Sequence, residues 1–206
     1  MKIENVFKIL QENIHTTVIA TVNEDGRPET RVIDIMLSDK SGVYFITAKG
    51  KRFYEQLICR KFVSISGFYG KDTLSSVSVS VKGYIEEMDN EYVERVFSEN
   101  RYMSSIYPTK QSRNAIVVFK VYKGTGEYFD LSKKPIERFS FSFGGFDETT
   151  HGYFVRKGCT LCKNCIEVCP QGCIDFTPSG AIIRQNNCLH CGNCKNACPV
   201  GCIERI

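Results

Sequence analysis

The sequence predicts two domains of different class: a mostly-β barrel over residues 1–146 and a small α+β domain over residues 147–206. Two observations predict this division. Strand-like stretches with short connections follow one another through most of the first part, which indicates an antiparallel sheet. Ten of the eleven cysteines lie between Cys159 and Cys202, so composition separates the last part of the chain from the rest.

The chain begins with a predicted helix and a three-stranded meander. Apolar residues at a spacing near 3.6 predict an amphipathic helix over residues 3–14. β-branched and alternating residues predict strands over 17–22, 29–37 and 43–47, and the turn-rich segments between them are short. Strands joined by such short connections pair in the antiparallel direction.

Two more strands and two helices follow. Residues 53–59 are predicted to form a helix and residues 61–68 a fourth strand. Serine and valine alternate strictly from residue 76, which predicts a strand over 76–85 with one buried face. Asp89 is a predicted N-cap for a helix over 90–98.

The first domain ends in further predicted strands. A strong strand is predicted over 115–122, and we expect it to form a hairpin with 127–131 across the turn at 123–126. Lys133-Lys134-Pro135 marks a candidate break. Residues 138–146 alternate phenylalanine with serine and form either an edge strand or an extended linker. Six or seven antiparallel strands with few helices favour a small barrel over an open sheet.

Composition and charge exclude several classes of function. The 206 residues are 42% hydrophobic and 24% charged, as in ordinary globular proteins, and no apolar run reaches the length of a membrane span. A formal net charge of +4 is too small to indicate nucleic-acid binding. The N-terminus lacks the long apolar core of a signal peptide. We therefore expect a cytoplasmic protein, since that compartment suits reduced thiols, with no nucleic-acid or membrane partner.

The cysteines form two copies of one motif, C-x2-C-x2-C-x3-C-P. This spacing is typical of bacterial two-cluster ferredoxins. Three thiolates in one tight loop reach three irons of one cubane, and the fourth cysteine, followed by proline, reaches the other cubane. By this rule one [4Fe–4S] cluster is held by Cys159, Cys162, Cys165 and Cys198, and the other by Cys188, Cys191, Cys194 and Cys169.

A disulfide framework and a zinc site also remain open for these cysteines. Disulfides are typical of small cysteine-rich domains, but no secretory signal opens the chain and Cys59 is the single cysteine before the motifs. A zinc site takes four ligands and usually pairs two C-x2-C units. Cys173 and Cys202 stand four residues after the last cysteine of each motif, and we expect them to pack beside a cluster; a role as exchanged ligands is the alternative. We expect Cys59 to be a buried apolar residue. His190 is expected to hydrogen-bond near its cluster or to face water.

The barrel half contains a candidate anion site at Thr47-Ala48-Lys49-Gly50-Lys51-Arg52. A threonine ends a strand there and basic residues open a helix, whose backbone N–H groups attract an anion such as phosphate. The alternative is a solvated basic surface without a ligand.

Three segments of the barrel half carry a resemblance to a known family. Residues 21–32 read Thr-Val-Asn-Glu-Asp-Gly-Arg-Pro-Glu-Thr-Arg-Val, residues 44–51 read Tyr-Phe-Ile-Thr-Ala-Lys-Gly-Lys, and residues 81–84 read Val-Lys-Gly-Tyr. Their order and spacing resemble the pyridoxamine 5′-phosphate oxidase-like split-barrel family of flavoproteins over residues 5–131. The whole chain resembles anaerobic proteins that fuse this barrel to a two-cluster ferredoxin domain.

The resemblance implies FMN bound at a homodimer interface. Carried over by position, it places Arg31 and Val32 along the flavin, Thr47, Lys49, Lys51 and Arg52 at its phosphate, and Ser78 and Ser80 where the second subunit approaches. The C-terminal basic and aromatic residues with which the oxidases bind pyridoxal phosphate have no counterpart here, since the chain contains no tryptophan and ends in the cysteine domain. Oxidation of pyridoxamine phosphate is therefore not expected.

These observations predict an FMN-dependent oxidoreductase in which two [4Fe–4S] clusters exchange electrons with a flavin and act on a small molecule. The expected partners are a second copy of the chain and a redox protein or small-molecule substrate. Two alternatives remain open: an electron carrier or redox-sensing protein without its own substrate, and a barrel that holds haem or a deazaflavin. A flavin sealed by Phe139, Phe141 or Phe143 would favour the carrier.

Overall fold

The computed structural model describes residues 1–146 and 151–206, and the predicted boundary after residue 146 adjoins residues 147–150, which lie outside the described residues. The strands of the barrel domain are β1 (Thr16–Val22), β2 (Pro28–Asp39), β3 (Gly42–Ala48), β4 (Phe62–Tyr69), β5 (Val77–Glu87), β6 (Ile116–Asp130) and β7 (Glu137–Phe143). Its helices are α1 (Ile3–Lys8), continued by a π-helical segment (Ile9–Ile14), α2 (Arg52–Arg60), α3 (Asn90–Glu99), α4 (Met103–Ile106) and α5 (Lys110–Arg113). No described helix has the length and apolar character that a bilayer crossing requires.

Six of these strands close into a barrel. The sheet runs β3-β2-β1-β4-β5-β6-β7 with antiparallel pairing throughout, and β3 also pairs with β6, which closes β1 to β6 into a ring. β7 lies outside the ring as an edge strand on the second half of β6. The mostly-β prediction is confirmed, and the Phe/Ser segment predicted as strand or linker is a strand.

The hairpin predicted across residues 123–126 is wrong, because β6 continues through this segment without a turn. Its glycines allow close approach of neighbouring groups, and neither has a left-handed φ. A Cβ on Gly124 would lie 2.1 Å from the Lys82 carbonyl oxygen, and one on Gly126 would lie 2.3 Å from Cζ of Phe141. Glycine thus permits a long strand to pair with β3 at its start and with β5 and β7 farther on.

Aromatic packing attaches β7 and α1 to the barrel. Phe7 is fully buried, and its ring centroid lies 6.2 Å from that of Phe141 and 5.0 Å from that of Phe143. Phe139 stacks on Tyr128 at 5.1 Å. Burying one phenylalanine side chain stabilises the fold by about 1.5–3 kcal/mol. The alternating phenylalanines of β7 therefore belong to the hydrophobic core.

The smaller domain consists of two similar halves that interlock. Its elements are β8 (Tyr153–Val155), α6 (Asn164–Glu167), β9 (Ile174–Thr177), β10 (Gly180–Ile183), α7 (Asn193–Asn196) and β11 (Ile203–Arg205). The first strand pairs with the last, and β9 pairs with β10, both antiparallel. Each short helix contains the third cysteine of its motif. This is the small α+β domain that the repeated motif predicts.

Three hydrogen bonds between residues 1–146 and 151–206 join the two domains. The Ile136 N–H donates to Gln171 Oε1 at 2.9 Å, and Asn187 Nδ2 donates to the Ile136 carbonyl at 3.2 Å. Arg138 Nη1 donates to the Cys188 carbonyl at 3.0 Å. All three place the start of β7 against the end of the first cysteine motif and the beginning of the second.

Candidate cofactor sites

Two cavities in the smaller domain are each lined by five cysteines. The first cysteine cavity is lined by Cys159, Cys162, Cys165, Cys198 and Cys202, and the second by Cys169, Cys173, Cys188, Cys191 and Cys194. The two sets occupy corresponding positions of the two motifs, so the two halves of the repeat build equivalent spaces. The fourth cysteine of each motif lies with the first three of the other motif, as a crossed pair of clusters requires.

The backbone of both cysteine loops passes through the left-handed region at matching positions. Leu161 and His190 stand two residues after the first cysteine of their motif, with φ of 58° and 54°. Lys163 and Gly192 stand four residues after it, with φ of 68° and 82°. This conformation costs about 1–3 kcal/mol for a residue other than glycine. Both loops adopt this conformation in spite of its cost, and in it three thiols of each motif face one cavity.

The cysteine sets are spaced for a group larger than a single ion. Within the described parts of the chain, no three His, Cys, Asp or Glu side chains lie close enough together to coordinate one metal ion. A zinc site would need its ligand atoms about 2.0–2.3 Å from one centre. Four thiols around a cavity instead match a cubane, in which each iron takes one thiolate. The donor set therefore fits [4Fe–4S] clusters.

The fifth cysteine of each cavity packs against the fourth motif cysteine. The Sγ atoms of Cys173 and Cys169 are 3.5 Å apart, and so are those of Cys202 and Cys198. Burial raises the pKa of the Cys173 thiol well above its ordinary value and the pKa of Cys202 to about 11, and the adjacent cysteine adds to both shifts. The symmetric geometry agrees with a packing role for both.

The prediction for Cys59 is wrong, because its side chain is exposed. Helix α2 buries Phe53, Gln56 and Leu57, whose spacing of three and one residues defines one face. Cys59 stands two residues beyond Leu57 and points away from that face.

His190 lies beside the second cysteine cavity, between two residues that line it, Leu189 and Cys191. Its backbone N–H donates to Cys188 Sγ at 3.4 Å, and its ring centroid lies 6.4 Å from that of Tyr153. Its Nε2 is buried and has no hydrogen-bond partner among the described residues. Burial, with the nearby charge of Arg138, lowers the pKa of the imidazole below its ordinary value.

The residues predicted to hold a phosphate lie where β3 ends and α2 begins. The Thr47 side chain is buried, and its Oγ1 has no hydrogen-bond partner among the described residues. Lys49 and Lys51 follow on an exposed turn, and the Arg52 side chain is 71% exposed. A buried hydroxyl without a partner costs about 1–3 kcal/mol, so a ligand atom placed here would be stabilised by Thr47.

Arg31 is held tightly between β2 and α2. Its guanidinium donates to Thr21 Oγ1 at 2.8 Å and to Gln56 Oε1 at 3.1 Å, and it lies 3.2 Å from a carboxylate oxygen of Glu29. The same group lies over the Phe53 ring, 4.2 Å from its centroid. These contacts fix the orientation of the guanidinium.

Glu29 and Gln56 belong to this site, although the sequence pattern did not single them out. Gln56 Nε2 donates to Glu29 at 2.8 Å, and Arg52 approaches the same carboxylate at 3.8 Å. Hydrogen bonds from Gln56 and Asn23, then the charges of Arg52 and Arg31, lower the pKa of Glu29. A signal was available for Glu29, since it stands two residues before Arg31 and therefore on the same face of β2.

Val32, Ser78 and Ser80 lie on one exposed outer face of the sheet. Val32 is 67% exposed and is joined to Ser80 by a row of directly paired residues, Val32–Val18–Ser66–Ser80. The hydroxyl oxygens of Ser66 and Ser80 are 3.2 Å apart. The row spans three strand spacings, about 14 Å. One chain therefore brings these residues onto one surface without bringing them into contact.

A cluster of three titratable side chains was missed by the sequence analysis. His15 Nε2 lies 3.6 Å from an Asp34 carboxylate oxygen and 3.2 Å from the Tyr102 hydroxyl, which donates to Asp34 at 3.1 Å. Burial, then the Asp34 charge, raises the pKa of Tyr102 to about 12. Asp34 shares the outer face with Val32, two residues earlier on β2. The three residues come from separate elements, so no local sequence motif predicts that they lie together.

Comparison with known families identifies both halves of the chain. The model of the pyridoxamine 5′-phosphate oxidase family matches residues 4–125, which is more than half of the chain. The chain belongs to the pyridoxamine 5′-phosphate oxidase family. A 4Fe-4S dicluster domain matches residues 158–202 of this family member, which supports iron–sulfur clusters as cofactors and a redox function. No curated protein sequence matches the chain significantly.

Solved structures of the same fold align with the barrel of this family member. A NimC/NimA family protein from Clostridium acetobutylicum has a TM-score of 0.54 at 20% identity, covering 68% of this chain and 94% of that chain. A protein related to general stress protein 26, of the pyridoxinephosphate oxidase family in the same organism, has a TM-score of 0.52 at 16% identity, covering 68% and 94%. A haem-binding protein from Mycobacterium smegmatis has a TM-score of 0.51 at 11% identity, covering 66% and 57%. Identities this low establish the fold alone.

Proposed function

We propose that this protein is an FMN-dependent oxidoreductase in which two [4Fe–4S] clusters exchange electrons with a flavin in the barrel and so reduce or oxidise a small molecule. The observation that carries the proposal is the presence, in one chain, of two cavities walled by motif cysteines and a barrel of the pyridoxamine 5′-phosphate oxidase family. Clusters carry one electron at a time and flavin accepts one or two, so together they link single-electron supply to two-electron chemistry. Such clusters and free thiols suit the cytoplasm.

The motif cysteines are the proposed cluster ligands. One set is Cys159, Cys162, Cys165 and Cys198, and the other is Cys188, Cys191, Cys194 and Cys169. The matching cavities and the crossed positions of the two fourth cysteines support this assignment.

The phosphate of FMN is proposed to lie beside Thr47. The unpaired buried hydroxyl of Thr47 supports this position, because a phosphate oxygen would accept the hydrogen bond that the chain does not provide. Lys49 and Lys51 supply positive charge at the start of a helix, where the macrodipole also favours an anion. Arg52 is exposed enough to turn from Glu29 towards the phosphate.

The flavin ring is proposed to lie along β2, next to Arg31 and Val32. Neighbouring residues of a strand point to opposite faces, so the exposed Val32 side chain would contact the ring directly, whereas the guanidinium of Arg31, oriented by three polar partners, lies on the face towards α2. A flat ring on this surface has one face covered by β2. A second copy of the chain, approaching along Ser78 and Ser80, would cover the other face.

The homodimer is tested by Val32→Glu. A charge on this exposed apolar position is expected to produce a monomer at micromolar concentration and to weaken FMN binding, as measured by light scattering and FMN titration. The matched control is Ile182→Glu, which places the same charge on a residue of β10 that is 52% exposed and should remain dimeric. A wild-type chain that is monomeric at this concentration would overturn the shared flavin site.

The cofactor content is tested on anaerobically purified protein. We expect flavin bands beside broad iron–sulfur absorption, and about eight irons per chain. Cys198→Ala removes one proposed ligand and should lower the iron content to about four, while Cys59→Ala changes an exposed cysteine outside both cavities and should retain all of it. A cluster-containing protein without flavin would overturn the FMN assignment, and unchanged iron in Cys198→Ala would overturn the ligand assignment.

Haem is the second candidate for the barrel, because the Mycobacterium smegmatis structure with this fold is described as haem-binding. A Soret band in place of the flavin bands would select it. Haem iron needs an axial His, Cys, Met or Tyr. The residues of the Thr47 site are a hydroxyl and cations, which suit a phosphate better than a metal centre.

A further inference from the structure

The two cysteine cavities differ in their relation to the barrel. Two residues that line the second cavity, Gln171 and Cys188, accept hydrogen bonds from barrel residues. The donors are the Ile136 N–H and the Arg138 guanidinium. Among the described residues, none of the hydrogen bonds between the domains reaches a residue that lines the first cavity. The second cavity is therefore proximal to the barrel and the first is distal.

Arg138 is the charged group at this contact. Its side chain is 17% exposed, its Nη1 donates to the carbonyl oxygen of Cys188, and its Nη2 forms an ion pair with Glu127. Glu127 stands on β6, diagonally across from Arg138 on β7, which is the normal spacing for such a pair. The guanidinium thus connects the main chain of a proposed cluster ligand to the sheet.

The strand register continues this connection towards the proposed flavin surface. Arg138 on β7 pairs with Phe129 on β6, which pairs with Ser78 on β5. Glu127 pairs with Ser80 in the neighbouring row. Directly paired residues share a face of the sheet, so Arg138 lies on the same outer face as Ser78, two strand spacings or about 10 Å away.

We propose that the cavity lined by Cys169, Cys188, Cys191 and Cys194 is the site that exchanges electrons with the barrel, and that Arg138 is a positioning residue at this contact. The inference rests on the proposed function, since it needs clusters in the cysteine cavities. The exchange moves one electron, so one site is oxidised as the other is reduced. No bond forms or breaks at the contact.

The charge of Arg138 should affect the two sites unequally. An added electron makes a cluster more negative, and a nearby cation or a hydrogen bond at its ligands stabilises that state. Arg138 therefore raises the potential of the proximal cluster relative to the distal one. The Glu127 carboxylate opposes this effect, because it neutralises part of the guanidinium charge.

The test is an anaerobic redox titration of the full chain, followed by electron paramagnetic resonance. In Arg138→Gln we expect one of the two cluster steps to shift to lower potential by about tenfold in its reduction equilibrium, or about 59 mV for one electron. Glu127→Gln should shift the same step to higher potential, and Arg138→Lys should restore it towards the wild-type value. The matched control is Arg156→Gln, since Arg156 pairs with Glu204 within the smaller domain and should leave that step unchanged.

Cys198→Ala identifies which cluster gives the reduction step whose potential shifts. This variant is expected to keep only the proximal cluster, so its remaining step should still respond to Arg138→Gln. A shift of the distal step, an equal shift of both steps, or no shift in either Arg138→Gln or Glu127→Gln would overturn the inference. A chain that contains no clusters would instead overturn the proposed function, and iron analysis separates the two failures.

Discussion

Replacement of Thr47 by valine should have opposite effects on the empty barrel and on flavin binding. Oγ1 of Thr47 lies in a side chain that is 4% exposed and has no partner among the described residues, so the flavin-free fold bears its desolvation cost. Removing such a group recovers about 1–3 kcal/mol, and a buried methyl group adds a little more. We expect Thr47→Val to raise the free energy of unfolding of the flavin-free protein by about 1 kcal/mol or more.

The same variant should bind FMN about tenfold more weakly, because the phosphate would lose one charge-assisted hydrogen bond worth about 1.5 kcal/mol. Urea unfolding of the flavin-free chain measures the first effect, as a midpoint raised by about 0.5 M. Quenching of FMN fluorescence measures the second. Thr17→Val is the matched control: Thr17 is also buried, but its Oγ1 donates to the Ile33 carbonyl at 2.9 Å. This control should lose about 1 kcal/mol and bind FMN normally.

A Thr47→Val protein that is less stable than wild type would show that its hydroxyl is satisfied in solution. Normal FMN affinity in the same variant would place the phosphate elsewhere. Either result refutes the reasoning that an unpaired buried hydroxyl marks the phosphate position.

Three other predictions follow from the packing. Gly124→Ala should lower the free energy of unfolding by about 2 kcal/mol or more, because its Cβ would meet backbone atoms of β5, whereas Gly50→Ala meets nothing within 4 Å and should change it by less than about 0.5 kcal/mol in urea unfolding. Tyr102 binds its proton more tightly in the folded state, so its contribution to the free energy of unfolding is present below pH 10 and is lost as the pH rises towards 12. Asp34→Asn should make this loss of stability smaller in unfolding measurements at increasing pH. A variant with the same pH profile as wild type would contradict the prediction. Cys173→Ala should retain about eight irons per chain, and loss of half of them would make Cys173 a ligand.

Local periodicity predicted the first barrel elements because each is consistent with its surroundings. The strict alternation of β5 puts its valines inside the barrel, and the Asp89 carboxylate accepts a hydrogen bond from the Glu91 N–H at the start of α3. The same local rules failed at β6, where Gly124 and Gly126 resemble a turn. Their physical role is close approach between strands, which depends on partners distant in sequence.

The candidate sites show the same contrast between local sequence signals and contacts that are distant in sequence. The cysteine motif places its eight cysteines around two cavities, because the loops are short and each is repeated complete. The barrel site was only partly predictable: Gln56 and Glu29 are 27 residues apart, and their hydrogen bond exists because α2 packs on β1, beside the start of β2. Cys59 was assigned by residue type alone, and helix geometry placed it outside the core.

The two cysteine motifs are so alike that any difference in their function must come from residues outside the ligand pattern. Two pairs of equivalent positions differ in a way that the fold explains. Gln171 stands two residues after the fourth cysteine of the first motif and accepts a hydrogen bond from the Ile136 N–H of the barrel, whereas its counterpart Val200 is 50% exposed. Asn187 precedes the second motif and also bonds the barrel, whereas its counterpart is Gly158.

Each of these polar residues can satisfy a barrel backbone group that the valine or glycine could not. Both lie on the side of the proximal cavity, although Gln171 belongs to the first motif and Asn187 to the second, because the fourth cysteine crosses between cavities. The polar residues that contact the barrel are therefore grouped around one cavity, although they come from two different motifs. A repeat that served only to hold two equivalent clusters would have no reason to differ in this crossed manner, so the difference supports a fixed docking of one cavity on the barrel.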